Sequence, residues 1–584
     1  MSSLLHQLAR YGDITWLSYY FADFIARQSQ TDIDDLLCLS AALLCEANQA
    51  GNVCINLEHF TDTPLFSSSR IDPTRISRVG DANNWSACLR SSRCVGGPGD
   101  AAPLILDGKR LYLNRFWHYE TQVAEKIKSM LAGVEKSNNA EISYSGKSLY
   151  AGDDDTDSEQ MFAVTMAASK PFSVVSGGPG TGKTTTIIKI LCRLISQQPK
   201  IRIALAAPTG KAAARMMESI RNRIDLIEID DNIRAAIPTR ASTLHRLLGY
   251  RRRGYKYHHK HRLPVDCVVI DEASMIDLTL MYHLLDALPG QTRVILLGDR
   301  DQLASVAAGN VLGDITGHGN DLLQAKAVVV DSIALLRHSY RFDSSTDIGK
   351  LAGLINSGQI DETRDLLAET GRGIVWYQDA GDEINPDALA WILNAYQPVL
   401  ESKSAAAALD AYESTRLLCA TNRGPLGVEQ LNRLISTRLL SRLGRSEGDL
   451  FSGLPIMIVR NHHELGLYNG DTGVLWQDDN DQLQACFRDE QVGVREYALN
   501  RLPEYSCAWA ITVHKSQGSE YGSVLLLLPN DATSPVLSRE LLYTAVTRAR
   551  HRFYLQSCES VVRASIERLT RRHSGLAERL GWQD

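Results

Sequence analysis

No run of apolar residues in this 584-residue chain reaches the roughly 18 that a membrane-spanning helix needs. The opening residues, Met1-Ser2-Ser3-Leu4-Leu5-His6, lack the basic stretch and apolar core of a secretory signal. The eleven cysteines are scattered and none stands as C-x-x-C; even Cys88 and Cys94 have no matching set. That pattern argues against a zinc site or a disulfide framework and for reduced, mostly buried thiols in a cytosolic protein. Neither charge sign dominates: 62 Lys and Arg face 68 Asp and Glu, a net charge of −6. A surface for nucleic acid must therefore be a local patch on an acidic whole. No internal repeat stands out at solenoid periods. What remains, 44% apolar and 22% charged residues, is ordinary globular composition, with length for about four domains.

Against that background one stretch stands out. Gly177-Gly178-Pro179-Gly180-Thr181-Gly182-Lys183-Thr184 satisfies G-x-x-x-x-G-K-[ST] in full. A strand-like run, Phe172–Ser176, precedes it, and a helical pattern from Thr185 to Ile195 follows, the context a nucleotide-binding P-loop needs. A dinucleotide fingerprint fails, because its last glycine would fall on Lys183. Glycines let backbone N–H groups converge on phosphate oxygens, and the helix N-terminus adds its positive end. Gly178, Pro179, Gly180, Thr181, Gly182 and Thr185 are thus cofactor-binding candidates. Lys183 reaches the β- and γ-phosphates of ATP, and the Thr184 hydroxyl holds Mg²⁺.

Further segments extend the pattern. Cys267-Val268-Val269-Ile270-Asp271-Glu272 is an apolar strand ending in two carboxylates: Asp271 suits Mg²⁺, and Glu272 suits removal of a proton from the attacking water. In Gly298-Asp299-Arg300-Asp301-Gln302-Leu303, Gln302 either senses the γ-phosphate or positions the attacking water, or else lies uninvolved in a polar turn. Pro208-Thr209-Gly210-Lys211 leaves a strand and enters a helix. Thr209 and Lys211 suit a backbone phosphate of a polynucleotide, or Thr209 simply caps the helix. Thr243-Leu244-His245 precedes Tyr250–Arg262, which holds six Lys or Arg, three His, three Tyr and no acid. Cations interleaved with rings suit single-stranded nucleic acid, so a hairpin centred on Gly254 is expected there, with Arg252, Arg253 and Lys256 facing phosphates. Arg341, in Ser339-Tyr340-Arg341-Phe342, and Arg548, in Tyr543–Arg550, are candidates for the cation a P-loop site needs from across a cleft.

The order of elements sets the expected architecture. Short apolar runs alternate with helices from about 157 to 320 and again from about 330 to 584, which predicts two parallel α/β domains. Segment 450–505, with alternating strands and Asn-Gly-Asp turn signals, reads as a small β-barrel insert. The expected boundaries are 1–150 for a mainly helical N-terminal domain, 151–325 for the first α/β domain with its hairpin near 250–262, and 326–584 for the second. Before residue 150 the readable elements are an apolar helix over 32–47 and a hairpin over 103–113 with an Asp-Gly turn. Trp16, Tyr20 and Phe24 share one helical face, either the domain's own core or a partner contact.

The series GGPGTGKTT, APTGKAA, TLH, DEAS, GDRDQL, SYRF, VHKSQGSE and YTAVTRAR resembles, in order, the motifs of superfamily-1 helicases. SYRF, GLYNGD, AWAITVHKSQGSE and PLILDGKRLYLNRFWHYE make the closer resemblance to the RecD family, subunits of RecBCD-type exodeoxyribonuclease V. The resemblance implies two RecA-like domains and an ATP- and Mg²⁺-dependent motor moving 5′→3′ on DNA. It implies RecB-like and RecC-like partners in a heterotrimer, and double-strand-break repair and recombination in the cytoplasm at the nucleoid. Gln160 matches the family's adenine-contacting glutamine. Lys183, Thr184, Asp271, Glu272, Gln302, Arg341 and Arg548 match its ATP site, and Pro208, Thr209, His245 and His514 match DNA-facing positions. No carboxylate cluster reads as a nuclease site, which would leave cleavage to a partner.

Overall fold

In the computed structural model the described residues are 3–33, 35–66, 70–72, 79–132, 158–224, 227, 229–251, 254–317, 327–339, 346–369, 373–378, 381–442, 444, 450–462, 464–478, 480–489, 492–570 and 572–582. The acidic stretch at 152–157, which by composition reads as a linker or a solvated turn, and the site candidates Arg252, Arg253 and Arg341 lie outside them.

The N-terminal region pairs helices α1 (Leu4–Tyr11), α2 (Trp16–Ser29), α3 (Leu36–Gln49) and α4 (Ala82–Arg90) with a four-stranded sheet. Its strands are β1 (Cys54–Asn56), β2 (Val95–Gly96), β3 (Leu104–Asp107) and β4 (Arg110–Leu113), in the order β1-β4-β3-β2. Helix α3 is apolar all round, with every residue from Leu37 to Cys45 buried, because it runs through the middle of this core. Trp85 is fully buried against it and donates its indole N–H to Ser40 Oγ at 2.9 Å. Helix α2 does the opposite. It buries Ala22 and Ile25 but leaves Trp16, Leu17, Tyr20 and Phe24 at 45%, 60%, 62% and 48% exposure, so that face is not part of the domain's core.

One described helix of the expected 1–150 domain packs elsewhere. Helix α5 (Asn114–Ala132) inserts Phe116, Val123 and Ile127 into the core of the first motor lobe. Helix amphipathicity shows that α5 has an apolar face; only the tertiary structure shows which core receives it.

That lobe is built on a six-stranded parallel sheet in the order β12-β5-β11-β10-β6-β7. The strands are β5 (Phe172–Gly177), β6 (Ile203–Ala207), β7 (Ala241–Thr243), β10 (Cys267–Ile270), β11 (Arg293–Gly298) and β12 (Ile333–Leu336). Between β7 and β10 the small pair β8 (Tyr250–Arg251) and β9 (Gly254–Tyr255) forms the hairpin. The central strands are buried end to end, as strands covered on both faces require. The boundary expected at 325/326 falls too early, since β12 pairs with β5 and completes the first sheet. The hairpin pairs Arg251 with Gly254, so Gly254 lies on a strand and not at the hairpin's centre as expected.

The second lobe has a five-stranded parallel sheet, β13-β22-β21-β14-β20. Its strands are β13 (Ile374–Tyr377), β14 (Thr415–Cys419), β20 (Ala510–Thr512), β21 (Tyr521–Leu527) and β22 (Ala549–Gln556). Between β14 and β20 lie β15 (Pro455–Ile458), β16 (Thr472–Gln477), β17 (Leu483–Asp489), β18 (Gly493–Ala498) and β19 (Tyr505–Cys507), paired antiparallel in the order β18-β17-β16-β15-β19. The expected strands are there, but the described pairings leave β18 and β19 as open edges, so they do not close a barrel. Local alternation specifies strands; closure depends on twist and stagger across the sheet.

The chain's last described residues leave the second lobe. Leu576, Leu580 and Trp582 pack into the first lobe's core, and Trp582 donates its N–H to the Ile315 carbonyl at 3.1 Å. Glu120 of α5, fully buried, accepts from Tyr112, Ser574, the Gly575 amide and Arg579. The expected 326–584 domain thus ends in a strap across the other two.

Candidate nucleotide site and nucleic-acid interface

The P-loop joins β5 to helix α7 (Lys183–Gln197) at the carboxyl ends of the first sheet, the crevice where open parallel sheets bind ligands. (Helix α6, Ser158–Ser169, precedes β5.) Gly180 and Gly182 take φ of +81° and +83°, a left-handed conformation that glycine adopts without steric cost. At Gly177 close approach excludes a side chain: a Cβ would lie 2.6 Å from Thr181 Oγ1 and 2.8 Å from Leu336 Cβ. The loop is braced by Thr181 Oγ1 donating to Gly178 O at 2.8 Å, and by Lys183 Nζ donating to Gly177 O and Gly178 O at 2.6 and 2.9 Å.

A cavity of about 610 Å³ opens over this loop, between the lobes. Gln160, Pro179, Gly180, Gly182, Lys183, Thr184 and Thr185 line one side, with Asp271, Glu272 and Gln302 beside them. The second lobe contributes Gly518, Glu520, Arg548 and Arg550. Gln160 Nε2 donates to Thr181 O at 3.5 Å, which ties it to the loop. Asp271 follows β10 directly. Burial and the neighbouring Glu272 push its carboxyl up to about 6, while Lys183 pulls it down. Glu272 sits at φ +54°, a sparsely populated conformation for a residue with a side chain, and its amide donates to Asp271 Oδ1 at 2.9 Å. Gln302 is buried; its amide nitrogen donates to Asp299 Oδ2 at 2.9 Å, and its Oε1 has no partner among the described residues. Arg548 is buried too, donating to Thr544 O and Ser519 O at 3.2 and 3.1 Å.

These groups suit a nucleoside triphosphate with Mg²⁺: a Cβ-free cradle, a lysine at its rim, a buried carboxylate, and an unsatisfied buried acceptor. Two participants escaped the motif reading. Asp299, 2% exposed and pushed up to about 6 by burial and Asp301, accepts from Tyr543 Oη at 3.1 Å across the lobe junction. Their one sequence signal was position, an acid just past a buried strand and a tyrosine inside YTAVTRAR. Further bonds cross the same junction. Leu303 N donates to Thr544 Oγ1 at 2.9 Å, Gln517 Nε2 to Leu303 O at 2.6 Å, and Arg215 to Gly518 O at 2.6 Å.

The candidate nucleic-acid residues are distributed less simply. Thr209 Oγ1 accepts from Ala212 N at 3.2 Å, so it caps helix α8 (Gly210–Ile224), with Pro208 just before it. Lys211 points into the lobe junction, its ammonium 6.0 Å from the Tyr521 ring, and burial lowers its pKa. His245 sits on the short helix Leu244–Leu247 and packs edge-on against Tyr250 at 5.7 Å. Lys256 is exposed on the hairpin, its ammonium 4.7 Å from the Tyr257 ring. His514, half-buried in the turn before β21, has its pKa lowered by burial and by Arg572.

A P-loop ATPase site roofed by a second parallel-sheet lobe defines a nucleotide-driven motor protein. Sequence comparison narrows the class. Residues 11–112 match the family described as RecBCD enzyme subunit RecD, N-terminal domain; residues 160–308 match an AAA domain, and residues 507–556 the UvrD-like helicase C-terminal domain. The RecBCD enzyme subunit RecD of Mycolicibacterium smegmatis is 37% identical over 93% of each chain, and that of Haemophilus influenzae 32% identical over 99% of each. The ATP-dependent RecD2 DNA helicase of Deinococcus radiodurans is 30% identical over 81% of this chain but only 58% of its own length. The chain belongs to the RecBCD enzyme subunit RecD family. Among the described residues no helix is long and apolar enough to cross a membrane.

Proposed function

We infer that this chain is the ATP-dependent DNA helicase subunit of a RecBCD-type helicase-nuclease. It moves 5′→3′ along one strand and serves double-strand-break repair and recombination in the cytoplasm, at the nucleoid. The observation that carries this reading is the convergence of Lys183, Asp271, Glu272 and Gln302 from one lobe with Arg548 from the other on one cavity. The near-complete coverage of RecD relatives, against 58% of the RecD2 helicase, favours the subunit over a stand-alone enzyme.

In this reading the P-loop amides and Lys183 hold the phosphates, and Gln160 meets the adenine. Thr184 and Asp271 hold Mg²⁺, which when bound neutralises charge building on the phosphate oxygens. Glu272 takes the proton from the attacking water, Gln302 orients that water, and Arg548 with Arg341 supplies positive charge from the second lobe. The bonds from Asp299, Leu303 and Arg215 to the second lobe carry changes at the γ-phosphate into lobe movement. Pro208, Thr209, Lys211, His245, His514 and the hairpin cations Arg252, Arg253 and Lys256 then meet DNA. For Lys211 this requires the lobes to part.

The exposed face of α2, with Trp16, Tyr20 and Phe24, docks a RecC-like subunit, RecB being the third member. Large rings at an interface centre are the usual anchors of stable association. Two measurements test the reading. The complex whose RecB-like motor is inactivated should unwind 5′-tailed duplex and lose this with Glu272→Gln; unwinding of 3′-tailed duplex alone would overturn the polarity. Joint replacement of Trp16, Tyr20 and Phe24 by Ala should abolish co-purification with a RecC-like subunit while the chain stays folded; intact assembly would move the docking surface elsewhere.

A further inference from the structure

Three elements distant in sequence bring aromatic rings together beside the hairpin. Tyr250 and Tyr255 on β8 and β9 meet edge-on at 5.4 Å. Tyr255 meets His283 at 4.6 Å, on the helix Leu278–Ala287. On that same helix Tyr282 stacks on Tyr119 of α5, 4.4 Å between centroids and 22° between planes, and His118 closes on Tyr282 at 5.6 Å. The rings run without a break from the hairpin to a helix that carries no helicase motif.

We propose that Tyr119 and Tyr282, with the hairpin tyrosines, form a stacking surface for unpaired DNA bases, extending the strand's path beyond the motor motifs; this rests on the DNA-motor reading above. Ring clusters with a purely structural role look different in this same molecule. Tyr396, Tyr412 and Trp509 are fully buried, and both tyrosine hydroxyls donate to backbone carbonyls. The hairpin cluster is instead only half-buried: Tyr119, Tyr255 and Tyr282 rest on the first lobe's core with part of their surface open, and at the two ends Tyr250 is 55% exposed and His118 exposed.

Charge separates it from the other open aromatic face, on α2. There Asp23 is ion-paired with Arg27 at 2.6 Å, which leaves the face without net charge and suits a protein partner. Beside the hairpin cluster stand exposed Lys256 and, on the same face of α5 as Tyr119, Lys126, whose neighbour is Arg262. Two acids also lie near the cluster, each accepting a backbone N–H: Asp277 from Leu280 N, and Asp286, which neighbours Lys126, from His259 N. Flat rings flanked by Lys256, Lys126 and Arg262 fit a polyanion whose bases stack irrespective of sequence.

The test uses the full chain and a fluorescein-labelled oligothymidylate at several salt concentrations. Tyr119→Ala and Tyr282→Ala should each weaken binding about tenfold, since stacking contributes about 1–3 kcal/mol per base. The slope of log affinity against log salt should not change, because no phosphate contact is lost. Tyr119→Phe and Tyr282→Phe, which keep the ring, should bind as wild type. Lys256→Ala should flatten the slope instead. Unchanged affinity in both alanine variants, with wild type binding normally, overturns the stacking surface alone; so does loss of subunit assembly in its place, which would make the patch a protein interface. A weakened affinity accompanied by a flattened slope also overturns it, as the rings would then only anchor the hairpin. Failure of wild type to bind the oligonucleotide would overturn the motor reading itself.

Discussion

Lys183→Gln is the perturbation whose consequences the structure separates most cleanly. The ammonium donates to the carbonyls of Gly177 and Gly178, and its charge favours the ionised forms of Asp271 and Asp299, two buried carboxylates that burial holds near 6. Glutamine has a similar reach and can keep one of the two carbonyl bonds, but it brings no charge. Hydrogen bonds from a charged donor are worth about 1.5–3 kcal/mol each, and Lys183 is only half-buried, so the folding cost should stay near 1–2 kcal/mol. The cost in the transition state is larger. A fixed charge aimed at a transferring phosphoryl group is worth on the order of 3–5 kcal/mol, and each 1.36 kcal/mol is a factor of ten in rate. DNA-stimulated ATP turnover should therefore fall by about two to four powers of ten, while the thermal midpoint drops only a few degrees. The assay is steady-state phosphate release with saturating single-stranded DNA, paired with a circular-dichroism melt. Turnover within threefold of wild type in a folded variant would refute the role of Lys183. So would a loss of turnover matched by unfolding at the assay temperature.

Three further outcomes follow from other parts of the molecule. Arg548→Ala should cost about a thousandfold or more in ATP turnover, as loss of a cation supplied to a phosphoryl group does, and should also destabilise the lobe by removing the Arg548 bonds to the Ser519 and Thr544 carbonyls, of which Thr544 keeps its bond from Thr547 Oγ1; calorimetry beside the ATPase assay reads both. Asp471, beside the lobe junction, is pushed up to about 6, chiefly by burial, although it accepts from Tyr468 N at 2.7 Å. Its folded state binds a proton more tightly than the unfolded chain, so ionisation costs stability as pH rises from about 4 to about 6. Asp471→Asn should gain on wild type across that window and hold the gain above it in urea titrations. Arg579→Ala should cost about 3 kcal/mol of stability, because it strips the cation from the buried Glu120 carboxylate; a change under 1 kcal/mol would show that the neutral donors suffice.

The sequence by itself named many of the residues that line the candidate site and two strands of the first sheet. Gly-rich spacing before Lys183 and Thr184, an apolar strand running into Asp271 and Glu272, and period-regular apolar runs are local signals. They name β5 and β10 within a residue or two, because buried parallel strands must be continuously apolar. It also put Trp16, Tyr20 and Phe24 on one face of a helix without saying whether that face was inside or out. What only the tertiary structure decided is where separated segments meet. β12, short and far from the P-loop in sequence, completes the first sheet; α5 fills the first lobe's core; and Leu576, Leu580 and Trp582 return to it from the far end of the chain. Asp299 gained its partner Tyr543, 244 residues away, and Lys211 its place over Tyr521, in the same way. An amphipathic face or a polar side chain records that it needs a partner but not which one; the choice is made by the packing of the whole chain.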